Sequence, residues 1–567
     1  MIQSTLRASL LATTLLAAGW AHAHQTNTEL KQFGGQHHPA AEAAVPHDAT
    51  PLWGNLGDLS FAITTAEPKA QAYFDQGLAL AYGFNHAEAR RSFQAAQQLD
   101  PTCASCFWGE ALVLGPNINA PMDASANEAA LAALRQAQAL AGKASEREQA
   151  LITALAARYS ADPAADRASL DEAYAAAMET VAESYPDDLD IATLYVEALM
   201  DLSPWNYWAD GGKAPKGRTG DIVRTLEKVL AVNPDHMGAI HLYIHAVEAS
   251  DNPARAERYA ERLAALKLGA GHLVHMPSHI FFRLGRYADS LEVNKAAVAA
   301  DEAYLARAQA EGIYPGGYYP HNIHFLLVSA QMAGDGPTAI SAAEKLQSTV
   351  SEEAARAMPA FVQPIKAAPL FAHAQFSAPA VVMALSAPSD DLAYVKAMWH
   401  YARGTAQAAT GDRAAAQAEA DAIAEIGRVA DLAAITEGGV PAHDILKLAR
   451  HIVLARIAQG SGDLATAIAE FEAAAKIERS LAYMEPPYWY YPVQQSLGAV
   501  LLMAGQTERA EEVFRRSLEV APNNGWACFG LLQVHKVRGE TEQVQELQER
   551  LDRTWSGDRT LLDLRRL

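Results

Sequence analysis

The chain has 567 residues, half of them hydrophobic, and a formal net charge of −21. Such a length exceeds one compact core, so several domains or an elongated array is expected. The negative balance argues against nucleic acid and anionic membrane surfaces as partners, because both are held by clustered Lys and Arg.

The first predicted element is a targeting segment. Arg7 is the only charged side chain before an apolar run over 8–18, and Ala21-His22-Ala23 fits a small-x-small cleavage site, which gives a signal peptide over 1–23. The run is shorter than a bilayer-spanning helix needs. The expectation is a periplasmic or secreted protein with no transmembrane span once the signal is removed. Residues 24–69 read as a flexible leader, rich in Ala and Pro and carrying His24, His37, His38 and His47.

From about residue 70 the pattern is helical: alanine-rich, apolar-periodic, with few strand signals. Cys103 and Cys106 form a C-x-x-C pair early in this stretch. Phe107 follows where a haem attachment motif needs histidine. In an oxidising compartment the pair reads as a local disulfide, with a redox-active dithiol as the alternative.

A 34-residue phase runs through the rest. Segment 70–103 has Ala89 and Phe93 on its second helix and ends Asp100-Pro101. Segment 271–304 has Gly285, Tyr287 and Ala297; 448–481 has Gly462, Ala467 and Phe471; 491–524 has Gly505, Ala510 and Phe514 and closes with Pro522. Small residues where two helices cross, an aromatic on the second helix and a proline at the end resemble the tetratricopeptide repeat family. The resemblance implies an all-α, right-handed solenoid of helix–turn–helix repeats. Its expected divisions are an N-terminal array over 70–353, an irregular Pro- and Ala-rich bridge over 354–396, and a C-terminal array over 397–567. Insertions at 203–220 and 305–319 interrupt the phase. Tyr82-Gly83-Phe84-Asn85-His86, Gly115-Pro116-Asn117-Ile118-Asn119, His275-Met276-Pro277-Ser278-His279 and Tyr319-Pro320-His321-Asn322 further resemble a group of exported bacterial tetratricopeptide proteins, a likeness that implies no particular activity.

The histidines carry the chemistry. Seven of nineteen fall between 241 and 324, where an even spread would put about three. His241 and His245 lie four apart, and His275 and His279 follow them at a distance of 34. His272, His321 and His324 complete the set. Steps of three and four keep side chains on one helix face. The resemblance places these stations in the concave groove, with His241, His275 and His324 in one row, Glu197, His245 and His279 in a second, and His272 and His321 in a third. Facing imidazoles on neighbouring helices can share an ion at about 2 Å. Glu197 is then a candidate ligand or general base, and Glu248, one turn beyond His245, a candidate acceptor that orients its ring. All-imidazole or imidazole-plus-carboxylate donors suit copper, zinc or iron, with copper slightly ahead in an exported protein. Whether such an ion is catalytic stays open. The alternative is a peptide- or protein-binding scaffold, or a groove for a small ligand, with no metal. H-E-x-x-H, Walker A, G-x-S-x-G and G-x-G-x-x-G signatures are absent.

Overall fold

The computed structural model describes residues 50–308, 310 and 312–567. The expected signal peptide and the four leader histidines lie outside them. The described chain is an all-α, tetratricopeptide-like succession of helical hairpins. Its described residues divide into two compact regions, the first made of 50–284 with 292–322 and the second of 285–291 with 323–567. No helix among the described residues is long and apolar enough to cross a membrane.

In the first region the hairpin of Pro68–Tyr82 and His86–Leu99 shows how the repeat is built. Proline opens the first helix, where a missing N–H costs nothing. The Asn85 side chain caps the second by accepting from Glu88 N–H. Phe93 is fully buried where three helices cross. A Cβ on Gly77 or Gly109 would stand 2.7 and 2.5 Å from its ring, so glycine is what admits the aromatic. The second region repeats the device. Phe514 lies against Gly498 and Gly530, where an added Cβ would come within 2.7 and 2.1 Å. Asp412 and Asp463 cap their second helices through Ala415 and Thr466 N–H. The turn glycines Gly285, Gly334, Gly462, Gly505 and Gly539 all have positive φ, which side-chain-bearing residues rarely adopt.

Two expectations are corrected. Residues 50–67 are not loose: Phe61 is buried and stacks on Trp108 at 6.3 Å, and Thr64 N–H donates to Glu148 at 2.8 Å. The apolar payload of Phe61 ties the segment down. The stretch 354–396 is no irregular bridge. It contains the helices Pro359–Phe376 and Pro379–Met383, the first continuing through Pro364 and Pro369, and it belongs to the second region. The boundary between regions falls near 284 and 322 instead. The insertion over 203–220 holds the one two-stranded ribbon found among the described residues, Trp208–Ala209 against Ala214–Pro215. The insertion over 305–319 ends in a π-helical turn, Tyr314–Tyr318, that runs into the helix Tyr319–Ala333. The sulfurs of Cys103 and Cys106 stand at bonding distance, 2.07 Å, at the start of the helix Ala104–Val113.

Candidate metal centre

Six of the seven clustered histidines meet in the first region. His241 and His245 come from the helix Met237–Val247. His272 and His275 come from Gly271–His275, and His279 from Pro277–Arg283, which opens with a proline where no N–H is needed. His321 comes from Tyr319–Ala333. Five of the six are buried, and His321 is half-buried.

The imidazoles assemble as two triangles, His241–His245–His272 and His275–His279–His321. In the first, ring centres are 4.8, 4.9 and 6.2 Å apart. In the second the matching separations are 4.6, 4.8 and 5.9 Å. Within each triangle the candidate ligand nitrogens lie inside 4.8 Å of one another.

Hydrogen bonds on the far side of four rings orient them and place a proton on Nδ1. His241 Nδ1 donates to the Tyr82 carbonyl at 2.6 Å. His275 Nδ1 donates to Asn294 Oδ1 at 2.6 Å. His245 and His279 each donate from Nδ1 to one oxygen of Glu248, both at 2.7 Å. A carbonyl, an amide oxygen and a carboxylate can only accept, so the neutral rings carry their lone pairs on Nε2. Those atoms face inward. His275 and His279 oppose Nε2 to Nε2 at 2.6 Å, His321 and His275 at 3.1 Å, and His272 and His241 at 3.2 Å. The edge of a tetrahedron with bonds of roughly 2.0–2.1 Å is about 3.3 Å, close to the last two. His272 Nδ1 is buried with no hydrogen-bond partner among the described residues.

Electrostatics favour the neutral form of His241, His245, His272 and His275. Burial, followed by the neighbouring imidazoles, holds His241, His272 and His275 well below the usual histidine range. His245 is lowered by burial, against the pull of Glu248. Burial would raise Glu248, but His279 and His245 outweigh it and hold the carboxyl at about 2. Glu248 is thus a buried anion serving two rings.

Two sequence candidates stand elsewhere. His324 is buried in the second region, with Nε2 3.0 Å from the Tyr490 hydroxyl, and burial lowers it to about 3. Glu197 lines a separate cavity of about 10 Å³ with Tyr82, His86 and Arg158, room for about one water. Burial raises its carboxyl to about 7. The reason is geometric. The expected rows joined equal stations on successive helices, whereas each triangle is diagonal. It takes two histidines four apart in one repeat and a third from the start of the next. His324 is followed four residues on by Val328, and Glu197 is preceded by Thr193, with Gly238 where His272 stands one repeat later. Neither can complete a triangle.

Aromatic residues close the site. Phe84 stacks on His245 at 6.2 Å and lies 4.4 Å from His241. It holds a left-handed φ of 55°, an outlier for a bulky side chain that only surrounding packing sustains. Tyr318 lies 4.6 Å from His272 and Trp205 5.0 Å from His245, so both insertions reach the rings. Phe84 and Asn294 were not singled out as site residues from sequence. The motif around Phe84 was a signal for the first; Asn294 gave none.

Fold and cluster together define a tetratricopeptide-like helical protein with a buried polyimidazole site. No family model matches the chain, and no curated protein matches it in sequence. Solved structures that align with it include human IFIT1 as a dimer with m7Gppp-AAAA, at 14% identity and a TM-score of 0.32, covering 79% of this chain and 90% of that one. Yeast Tom70 aligns at 12% identity and a TM-score of 0.27, over 87% of this chain and 94% of its own. The P58(IPK) TPR domain aligns at 14% identity and a TM-score of 0.21, over 66% and 95%.

Proposed function

We propose that this chain is an exported protein that binds a transition metal through the imidazoles of its first region, copper ahead of zinc or iron. One observation carries the reading. His275 and His279 present Nε2 lone pairs to each other at 2.6 Å, while both Nδ1 protons are already given to Asn294 and Glu248. Two lone pairs repel at that distance unless a cation lies between them. A metal ion would use the Nε2 lone pairs that the Nδ1 hydrogen bonds leave free to bind it. Imidazole-only donors suit copper and zinc, and three protein ligands leave a coordination position open for a further ligand. The amino-terminal apolar run after Arg7 supports export.

Elemental analysis and an absorption spectrum on full-length protein from its native compartment test this. Stoichiometric copper is expected, with less retained by His275→Ala. A metal-free wild type whose His275→Ala variant changes peptide affinity instead would establish the scaffold reading.

A further inference from the structure

We infer that the centre holds two ions, one in each histidine triangle, a deepening that rests on the metal reading above. The first support is repetition. His241, His245 and Gly238 have their counterparts 34 residues on at His275, His279 and His272. The unit of the site is therefore a pair of histidines on one repeat and the leading histidine of the next. That unit occurs twice in succession, with His272 closing the first copy and His321 the second.

The second support is congruence. The two triangles agree side for side within 0.3 Å, from 4.8, 4.9 and 6.2 Å in one to 4.6, 4.8 and 5.9 Å in the other. A single ion shared by all six rings would need the six nitrogens to converge. They group in threes instead. Each triangle supplies three nitrogens, the protein ligand count of an ion with an open position.

The third support is Glu248. It gives one oxygen to His245 of the first triangle and the other to His279 of the second, both at 2.7 Å. These two rings are 5.5 Å apart, and His272 and His275 also face across the boundary at 5.9 Å. One carboxylate therefore orients a ligand of each site and supplies negative charge to both. Adjacent ions of this kind can clamp one small ligand between them.

The test uses the full chain, stripped with chelator and titrated with cupric ion alone. Passage over chelating resin then removes ions held weakly by surface or leader histidines. Two coppers per chain are expected for the wild type. His272→Ala and His321→Ala are each expected to retain one, because each removes the third nitrogen of a different triangle. In the electron paramagnetic resonance spectrum, the signal of the first equivalent should diminish when the second arrives beside it. Retention of one copper by the wild type, lost in both variants, overturns the two-ion assignment and leaves the metal reading standing. Retention of none by a wild type that melts cooperatively overturns the metal reading itself. The wild-type count decides even if a variant fails to fold.

Discussion

His275 in the first region and His451 in the second occupy nearly the same station of the repeat. Each lies on a first helix, ten or eleven residues before a positive-φ turn glycine, Gly285 or Gly462. Each donates from Nδ1 to a side chain nineteen residues on, Asn294 or Glu470, at 2.6 Å. His400 and Glu419 repeat the arrangement at 2.5 Å. In the second region His400 and His451 each donate to a separate carboxylate. In the first, the acceptors are a backbone carbonyl, an amide and one carboxylate shared by two rings, and the Nε2 atoms converge. A helical repeat therefore offers the oriented imidazole as a matter of course. What distinguishes a candidate metal centre is that neighbouring repeats aim the other nitrogen at a common point.

If the two regions share one scaffold, its knobs should weigh equally. Phe93→Ala and Phe514→Ala are each expected to cost about 3–5 kcal/mol, the usual loss for a buried phenylalanine. Denaturant unfolding, with amide exchange following each region separately, checks this. A phenylalanine that one region gives up cheaply would break the structural half of the comparison.

Glu248 and Glu470 sharpen the other half. Glu248→Ala removes the acceptor of the Nδ1 protons of His245 and His279, an expected loss of about 2–6 kcal/mol at about one to three per orphaned donor. Glu470 is a quarter exposed, and its alanine variant should cost under about 1 kcal/mol, as surface pairs do. Glu248→Gln offers one amide oxygen where two carboxylate oxygens stood. Copper affinity should then fall about 10–100-fold, the typical effect of losing a partner that orients a ligand. Equal melting curves for the two alanine variants would contradict the contrast drawn here.

How much of this was legible in the sequence follows from periodicity. The turn glycines and the Phe93 and Phe514 knobs recur with the repeat, so the fold could be read along the chain. His241, His245, His275 and His279 could be read the same way. The diagonal link through His272 and His321 could not, because it depends on how one helix end meets the side of the previous helix. His324 shows the cost of reading stations alone: it stands at the station of His275, yet Val328 stands four residues on, where His279 follows His275. Phe61 was missed for another reason. The apolar residues around it follow no helical or strand period, and its burial against Phe74 and Trp108 reveals that the stretch is anchored.

The smallest expected effect is a pH dependence of opposite sign in the two regions. Glu148 in the first is desolvated, which would raise its carboxyl, but hydrogen bonds from Ser105, Thr64 and Ser145 outweigh this and hold it below the usual glutamate value. The folded state therefore binds this proton less tightly than the unfolded chain. Its stabilisation is present above the unfolded value of 4.5 and is lost as pH falls through the lower folded value. Glu478 in the second region behaves oppositely. Burial raises it to about 7, against the Val493 N–H that donates to it at 3.1 Å. Here the folded state binds the proton more tightly, so its contribution is present below 4.5 and disappears as pH rises towards about 7. Glu148→Gln should flatten the fall in melting temperature below pH 4.5, and Glu478→Gln the fall between 4.5 and about 7. Thermal melts across pH 3–8 separate the two windows, and a pair of variants that altered the same window would show that the carboxylates do not differ as their surroundings require.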